Sequence, residues 1–160
     1  MAVSTGTAKV TLPADDQILI TREFDAPRHL VFKAWTTPDL VKRYWAGRRG
    51  EMTHVEIDLQ VGGRWRYVMV TNDGHEIAFN GEFREIVPDE RIVNTEVYEA
   101  MPGDGVLNTV TFTEIDGRTR LELLTECGSK EVRDGIIGSG MEGGMQEQMD
   151  LLEELAASMS

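Results

Sequence analysis

From about Gln17 to Glu126, apolar residues recur mainly at every second position, the period of a strand with one buried face. Ile18, Ile20 and Phe24 alternate with Leu19, Thr21 and Glu23. Val55, Ile57 and Leu59 alternate with His54, Glu56 and Asp58, which predicts an apolar face and a polar one. Trp65, Tyr67 and Met69 share one face of the next run. Ile77, Phe79 and Phe83 share a face of the run after it, with Gly81 between the two rings. Turn residues divide these runs. Gly62 and Gly63 turn the chain, Asn72-Asp73-Gly74 is a strong hairpin signal, and Pro88-Asp89-Glu90 leads into Ile92 to Tyr98. The longest loop spans Met101 to Gly105, and Asp116-Gly117 joins Asn108–Glu114 to Arg118–Glu126.

The period becomes helical on either side of this strand-rich stretch. Asp25 and Pro27 suit the cap and first turn of a helix whose apolar face is Leu30, Val31, Ala34 and Trp35. Thr37-Pro38-Asp39 restarts a second short helix carrying Leu40, Val41, Tyr44 and Trp45. Near the C-terminus, Met141, Met145, Met149 and Leu152 recur at helical spacing and give a terminal helix a wide, soft apolar face. The expected fold is α+β: a curved antiparallel sheet of about six to seven strands, two short helices and a long C-terminal helix. A helix laid on a curved sheet commonly leaves a cavity between the two, the alternative being that the Met stripe simply fills a core. Residues 1–16, small and polar with Pro13, Asp15 and Asp16 at the boundary, read as a loosely held arm, and 17–160 as a single domain.

Composition narrows the partners. The 160-residue chain carries a formal charge of -12, which argues against nucleic acid and anionic membranes as partners and favours solubility. One cysteine, Cys127, excludes an internal disulfide and a multi-cysteine metal site. No basic, apolar leader opens the chain and no apolar run reaches spanning length, so a soluble, cytoplasmic protein is expected. Gly138, Gly140 and Gly143 spell G-x-G-x-x-G, but no strand precedes them and no parallel strand follows, so no nucleotide cofactor is expected. These glycines instead allow a bend and a close approach to the sheet.

The order of elements resembles the helix-grip fold of the START-like, or SRPBCC, superfamily, which includes the birch-pollen-allergen-like proteins. Local signatures are similar to one branch, the family related to the C-terminal domain of the activator of heat-shock protein 90 ATPase. They are Thr21 to Pro27, Ala34 to Pro38, Asp58 to Trp65, Gly74, Gly81 with Phe83, Val87 to Arg91, and Gly140-Met141 with the helix after it. Where Met145 stands, the family commonly has an aromatic residue, a departure that changes the shape of a pocket. The resemblance implies a deep cavity between sheet and last helix. It implies no single activity, because the superfamily holds lipid carriers, hormone receptors, polyketide cyclases and chaperone cofactors.

Candidate chemistry is sparse. His54, Glu56 and Asp58 are spaced for a divalent metal, but they oppose the apolar face and point to solvent, so no metal is expected. His29 and His75 lack a visible orienting partner. Arg22 shares the face of Ile18, Ile20 and Phe24 and needs a carboxylate, such as Glu85 or Glu122, or a ligand anion. Trp65, Tyr67, Met69, Phe79 and Phe83, continued by Leu121 and Leu123, form the candidate pocket wall. Met141, Met145 and Met149 would roof it, and Trp35 and Trp45 would close its entrance.

The leading expectation is binding of a small, largely apolar molecule of lipid, polyketide or aromatic type, without turnover. The alternative is a cyclase, aromatase or hydrolase using Tyr67, Arg22 or Glu85. A co-chaperone role in the stress response ranks last, because the chain carries only the region resembling the activator's C-terminal domain. A homodimer through the sheet edge or helix pair is compatible with the chain, though no heptads argue for it.

Overall fold

A computed structural model describes residues 8–101, 103 and 105–159. Eight antiparallel strands form one sheet in the order β1-β2-β8-β7-β6-β5-β4-β3. They are β1 (Lys9–Thr11), β2 (Gln17–Phe24), β3 (Gly50–Ile57), β4 (Arg64–Thr71), β5 (Glu76–Val87), β6 (Arg91–Tyr98), β7 (Val106–Ile115) and β8 (Arg118–Glu126). Helices α1 (Arg28–Thr36) and α2 (Pro38–Tyr44) cross between β2 and β3. Helices α3 (Lys130–Gly138) and α4 (Met141–Ser158) follow β8. This is the helix-grip fold, with α4 held against the concave face by one apolar stripe: Met145, Met149, Leu152 and Ala156 are all buried.

The sheet has one more strand than the upper expectation. Lys9–Thr11 pairs with Leu19–Thr21 where a loose arm was expected from 1–16; residues 1–7 lie outside the described residues. A side-chain amide fixes this segment. Gln146 of α4 accepts from the Ala8 N–H at 3.0 Å and donates to the Ala8 carbonyl at 2.8 Å, imitating a ladder rung. Two further expectations are corrected. Leu59 is 39% exposed, because β3 ends at Ile57 and the chain turns before a further inward position is reached. Asp25 does not cap α1, which begins after Pro27 without a side-chain cap.

The sheet bends where β5 meets β6. Their register shifts between Phe83 and Glu85, and Gly81 has no room for a side chain: a Cβ would strike the Thr95 carbonyl oxygen. That carbonyl instead accepts from the Trp65 indole N–H at 3.1 Å and from the Asn94 amide at 3.1 Å, while Thr95 Oγ1 accepts from the Glu82 N–H at 2.9 Å. Side chains thus take over part of the interrupted ladder at the bend. Gly143 of α4 acts similarly: a Cβ there would lie 2.6 Å from Arg49 Nη2, so its absence lets the Arg49 guanidinium lie on the helix. Gly140, at φ 81°, makes the turn between α3 and α4.

Candidate functional site

Register assigns the faces. The rows Arg22–Leu121–Phe112, Ile20–Leu123–Val110–Ile92 and Ile18–Thr125–Asn108–Asn94–Phe83 run across the concave face beneath the helices. Trp65 opposes Gly81, Tyr67 opposes Phe79, and Met69 opposes Ile77. The sheet residues expected to wall a pocket therefore share one face. They divide into two sectors. Leu121 and Phe112 lie under α1, where Phe32 and Trp35 meet Phe112 edge-on at 5.4 and 6.0 Å between centroids. In the other sector Trp45, just beyond α2, stands edge-on to Tyr67 at 5.3 Å and to Phe79 at 5.4 Å. Phe79 stacks on Tyr98 at 5.2 Å, and Trp65 leans on Tyr67 at 4.8 Å. The structure thus separates Trp35 and Leu121 from the Trp45 cluster. Met145 and Met149 are buried in the core of α4 contacts, and Met141 is half-buried at its first turn.

Arg22 is buried and taken by α4, not by Glu85 or Glu122. Its Nη1 lies 2.6 Å from Asp150 Oδ1 and its Nη2 2.8 Å from Glu153 Oε1. Register explains the change of partner: Glu122 opposes Thr21, one position out of phase with Arg22, and so points to the other face. Glu85 opposes Val93 and faces Arg91 at 2.5 Å. Among the three side chains considered for chemistry, Tyr67 alone remains in the aromatic sector without such an ion pair. His54 is exposed and meets only Glu56, at 3.2 Å, and no metal-holding cluster occurs among the described residues.

The concave face also carries a polar network that hydropathy does not reveal. Asn94 opposes Asn108, which opposes Thr125. The Thr125 hydroxyl donates to Asn108 Oδ1 at 2.8 Å, and Asn108 Nδ2 donates to Glu96 Oε1 at 2.7 Å. Glu96 Oε2 has no protein donor among the described residues. Burial raises the Glu96 pKa, the Asn108 bond opposing it only partly. Burial also raises Tyr67, with the nearby Glu96 charge adding to it, and Tyr44 is raised by burial and by Tyr67. Yet Glu96, Tyr67, Phe79 and Trp45 are only half-buried. In β6 the apolar residues Val93 and Val97 alternate with Asn94 and Glu96, so these four positions alone turn the strand the wrong way round; the contrary signals are Ile92 and Tyr98 at its two ends, which share the inward phase. On the opposite, outer face lies a solvent-open depression of about 350 Å³ lined by Leu19 and Leu124 with Gln17, Thr109, Thr111 and Glu122, and it holds no aromatic side chain.

An antiparallel sheet gripping a terminal helix, with polar groups set among aromatic side chains on its inner face, defines a START-like, ligand-binding type of domain. More narrowly, the chain belongs to the family described as Activator of Hsp90 ATPase homolog 1-like protein, whose model matches residues 25–157. A crystal structure of a Rhodobacter sphaeroides protein is similar at TM-score 0.89 and 23% identity, over 96% of this chain and 99% of that one. A Mycobacterium smegmatis protein is similar at TM-score 0.86 and 24% identity, over 97% and 100%. An AHSA1-like protein from Aeromonas hydrophila matches at TM-score 0.66 and 23% identity, over 88% and 93%. These likenesses establish the fold. No curated protein matches the chain. No helix among the described residues is long and apolar enough to cross a membrane.

Proposed function

We propose that this protein binds a small, largely apolar molecule between the sheet and the start of α4, in a recess walled by Trp45, Trp65, Tyr67, Phe79 and Tyr98 and floored by Glu96 and Asn108. The supporting observation is a double property of Glu96. Its surroundings are protein enough to raise its pKa, yet the side chain retains accessible surface, as a group lining a hollow does and one in packed core does not. Neighbouring Tyr67 has the same combination.

The test is a thermal-shift and tryptophan-fluorescence screen against lipids, polyketides, flavonoids and steroids. A ligand at about a hundred times its Kd adds roughly 2.7 kcal/mol, worth about 5–11 °C in a domain of this size. A hit that is abolished by filling the recess with Phe79→Trp would support the reading. Hits that ignore this change, or none across the screen, would refute it.

A second reading, proton-transfer catalysis, is favoured by one observation: a carboxyl with raised pKa beside a phenol suits a general acid. Turnover of a bound ligand lost in Glu96→Gln with binding retained would establish it. Stimulation of a chaperone ATPase, suggested by the family's name, is separated from both by assaying that ATPase directly.

A further inference from the structure

The geometry points to an organic cation as the occupant of the recess: an amine carried on an aromatic or similarly flat apolar body, its ammonium on Glu96 and its body among the rings. This rests on the binding reading above and specifies the chemistry of the ligand.

The argument begins with what Glu96 lacks. Acidic groups elsewhere on this chain commonly face a base: Glu99 meets Arg66 at 2.8 Å, Glu147 meets Arg49 at 3.6 Å, and Glu153 meets Arg22 at 2.8 Å. Glu96 has no ion-pair partner among the described residues. The group against its carboxylate is a neutral amide, Asn108 Nδ2, at 2.7 Å. Arg22, the inward arginine of β2, stands three rows away and is occupied by Asp150 and Glu153. The remaining acidic protons nearby, on Tyr67 and Tyr44, are phenols that share its sign when ionised. A carboxylate withdrawn from water without a cation is costly, and a bound cation removes that cost.

The surrounding rings supply the second half of the recognition. By register Glu96 falls opposite Gly81, so no side chain stands between it and Trp65 in that row. The adjacent row carries Tyr67, Phe79 and Tyr98, with Trp45 edge-on above the first two. Ring faces at differing tilts around one anion form the environment that attracts ammonium groups, through the quadrupole of each ring and the charge of the carboxylate. The overall charge of -12 further concentrates cations near the molecule. A neutral ligand would use Glu96 as a protonated donor and would leave the ring quadrupoles without a charge to meet.

Calorimetric titration with naphthylethylamine and its neutral counterpart naphthylethanol tests the proposal. The amine is expected to bind at least about tenfold more tightly than the alcohol, because a charge-assisted pair replaces a neutral hydrogen bond. Glu96→Gln should abolish that preference. Tyr98→Ser, at a ring 38% exposed and outside the folding core, should weaken the amine by roughly threefold and the alcohol less. This second variant carries the test if Glu96→Gln does not fold. Equal binding of the two probes, or a preference that survives Glu96→Gln, overturns the cation assignment and leaves the recess intact. If neither probe binds while neutral compounds stabilise the protein, the assignment is again overturned. If nothing binds at all, the binding reading falls with it.

Discussion

Removing the Arg22 guanidinium is the sharpest perturbation available, because the two arms of its ion pair lie in different environments. Arg22 and Glu153 are 2% and 6% exposed, and 2.8 Å separates Nη2 from Oε1. The Asp150 side chain, by contrast, is 52% exposed, so its carboxylate stays largely hydrated while it pairs with Nη1. The outer arm should contribute less than about 1 kcal/mol, the usual value for an exposed pair. Loss of the inner arm leaves a buried carboxylate without its cation, which typically costs about 3–5 kcal/mol. Glu153 keeps a 3.0 Å bond from the Asp25 N–H, so the lower part of that range applies.

Arg22→Ala should therefore destabilise the fold by about 3–4 kcal/mol in urea denaturation followed by tryptophan fluorescence, and lower Tm by roughly 6–16 °C. Asp150→Asn should cost under about 1 kcal/mol. The double variant Arg22→Met with Glu153→Leu should recover most of the loss, since apolar replacement of both partners removes the stranded charge. A loss below about 1 kcal/mol in Arg22→Ala would refute the reasoning, as would a double variant no more stable than Arg22→Met alone.

Other outcomes follow from particular contacts. Gly81→Ala should cost about 1–3 kcal/mol in the same denaturation assay, because its Cβ meets the Thr95 carbonyl and lies 2.5 Å from the Trp65 indole nitrogen; a shifted Trp65 emission should accompany it. Glu96→Gln should change the pH profile of stability. The folded protein holds the Glu96 proton more tightly than the unfolded chain, so this group's contribution is full below about pH 4.3 and declines as pH rises through the raised folded value; the substitution, which has no proton to lose, should remove that decline. The opposite sense belongs to Glu99, held down to about 2 by Arg66 and Asn80, so the low-pH loss should be unchanged in the variant. Cys127, buried and raised first by burial and then by the Asp16 charge, should react with a thiol reagent at the rate of global or local opening, accelerating in urea.

The fold was readable from the sequence wherever the alternation was strong. Ile18, Ile20 and Phe24 point inward as their spacing predicted, and Met145, Met149 and Leu152 lie along one buried stripe of α4. What escaped was short or paired through distant groups. Three residues of β1 carry too little pattern to announce a strand, and the Gln146 amide that fixes their start lies at the far end of the chain. Arg22 was recognisable as an inward cation in need of acid, but its acids belong to a helix whose rotation no local spacing specifies.

Glu96 escaped for a different reason, one tied to the proposed function. Alternation identifies a buried face by assuming that the inside is apolar, so it fails wherever the inside must recognise something polar. In β6 that assumption exchanges Asn94 and Glu96 for Val93 and Val97. Beneath α1 the rings of Phe32, Trp35 and Phe112 interlock, and the inward polar residues there are fully engaged: Arg22 pins the second half of α4 and Thr119 donates to the Ala26 carbonyl. A sheet needing only a core would extend that packing along its whole length. Placing a carboxylate, two amides, a hydroxyl and half-exposed rings in the remaining half forgoes apolar burial of about 25 cal/mol for each Å² left unfilled. Such a concession is understandable where a ligand completes the surface, and on the proposed reading the firmly pinned half is what would let the other half stay open without unfolding.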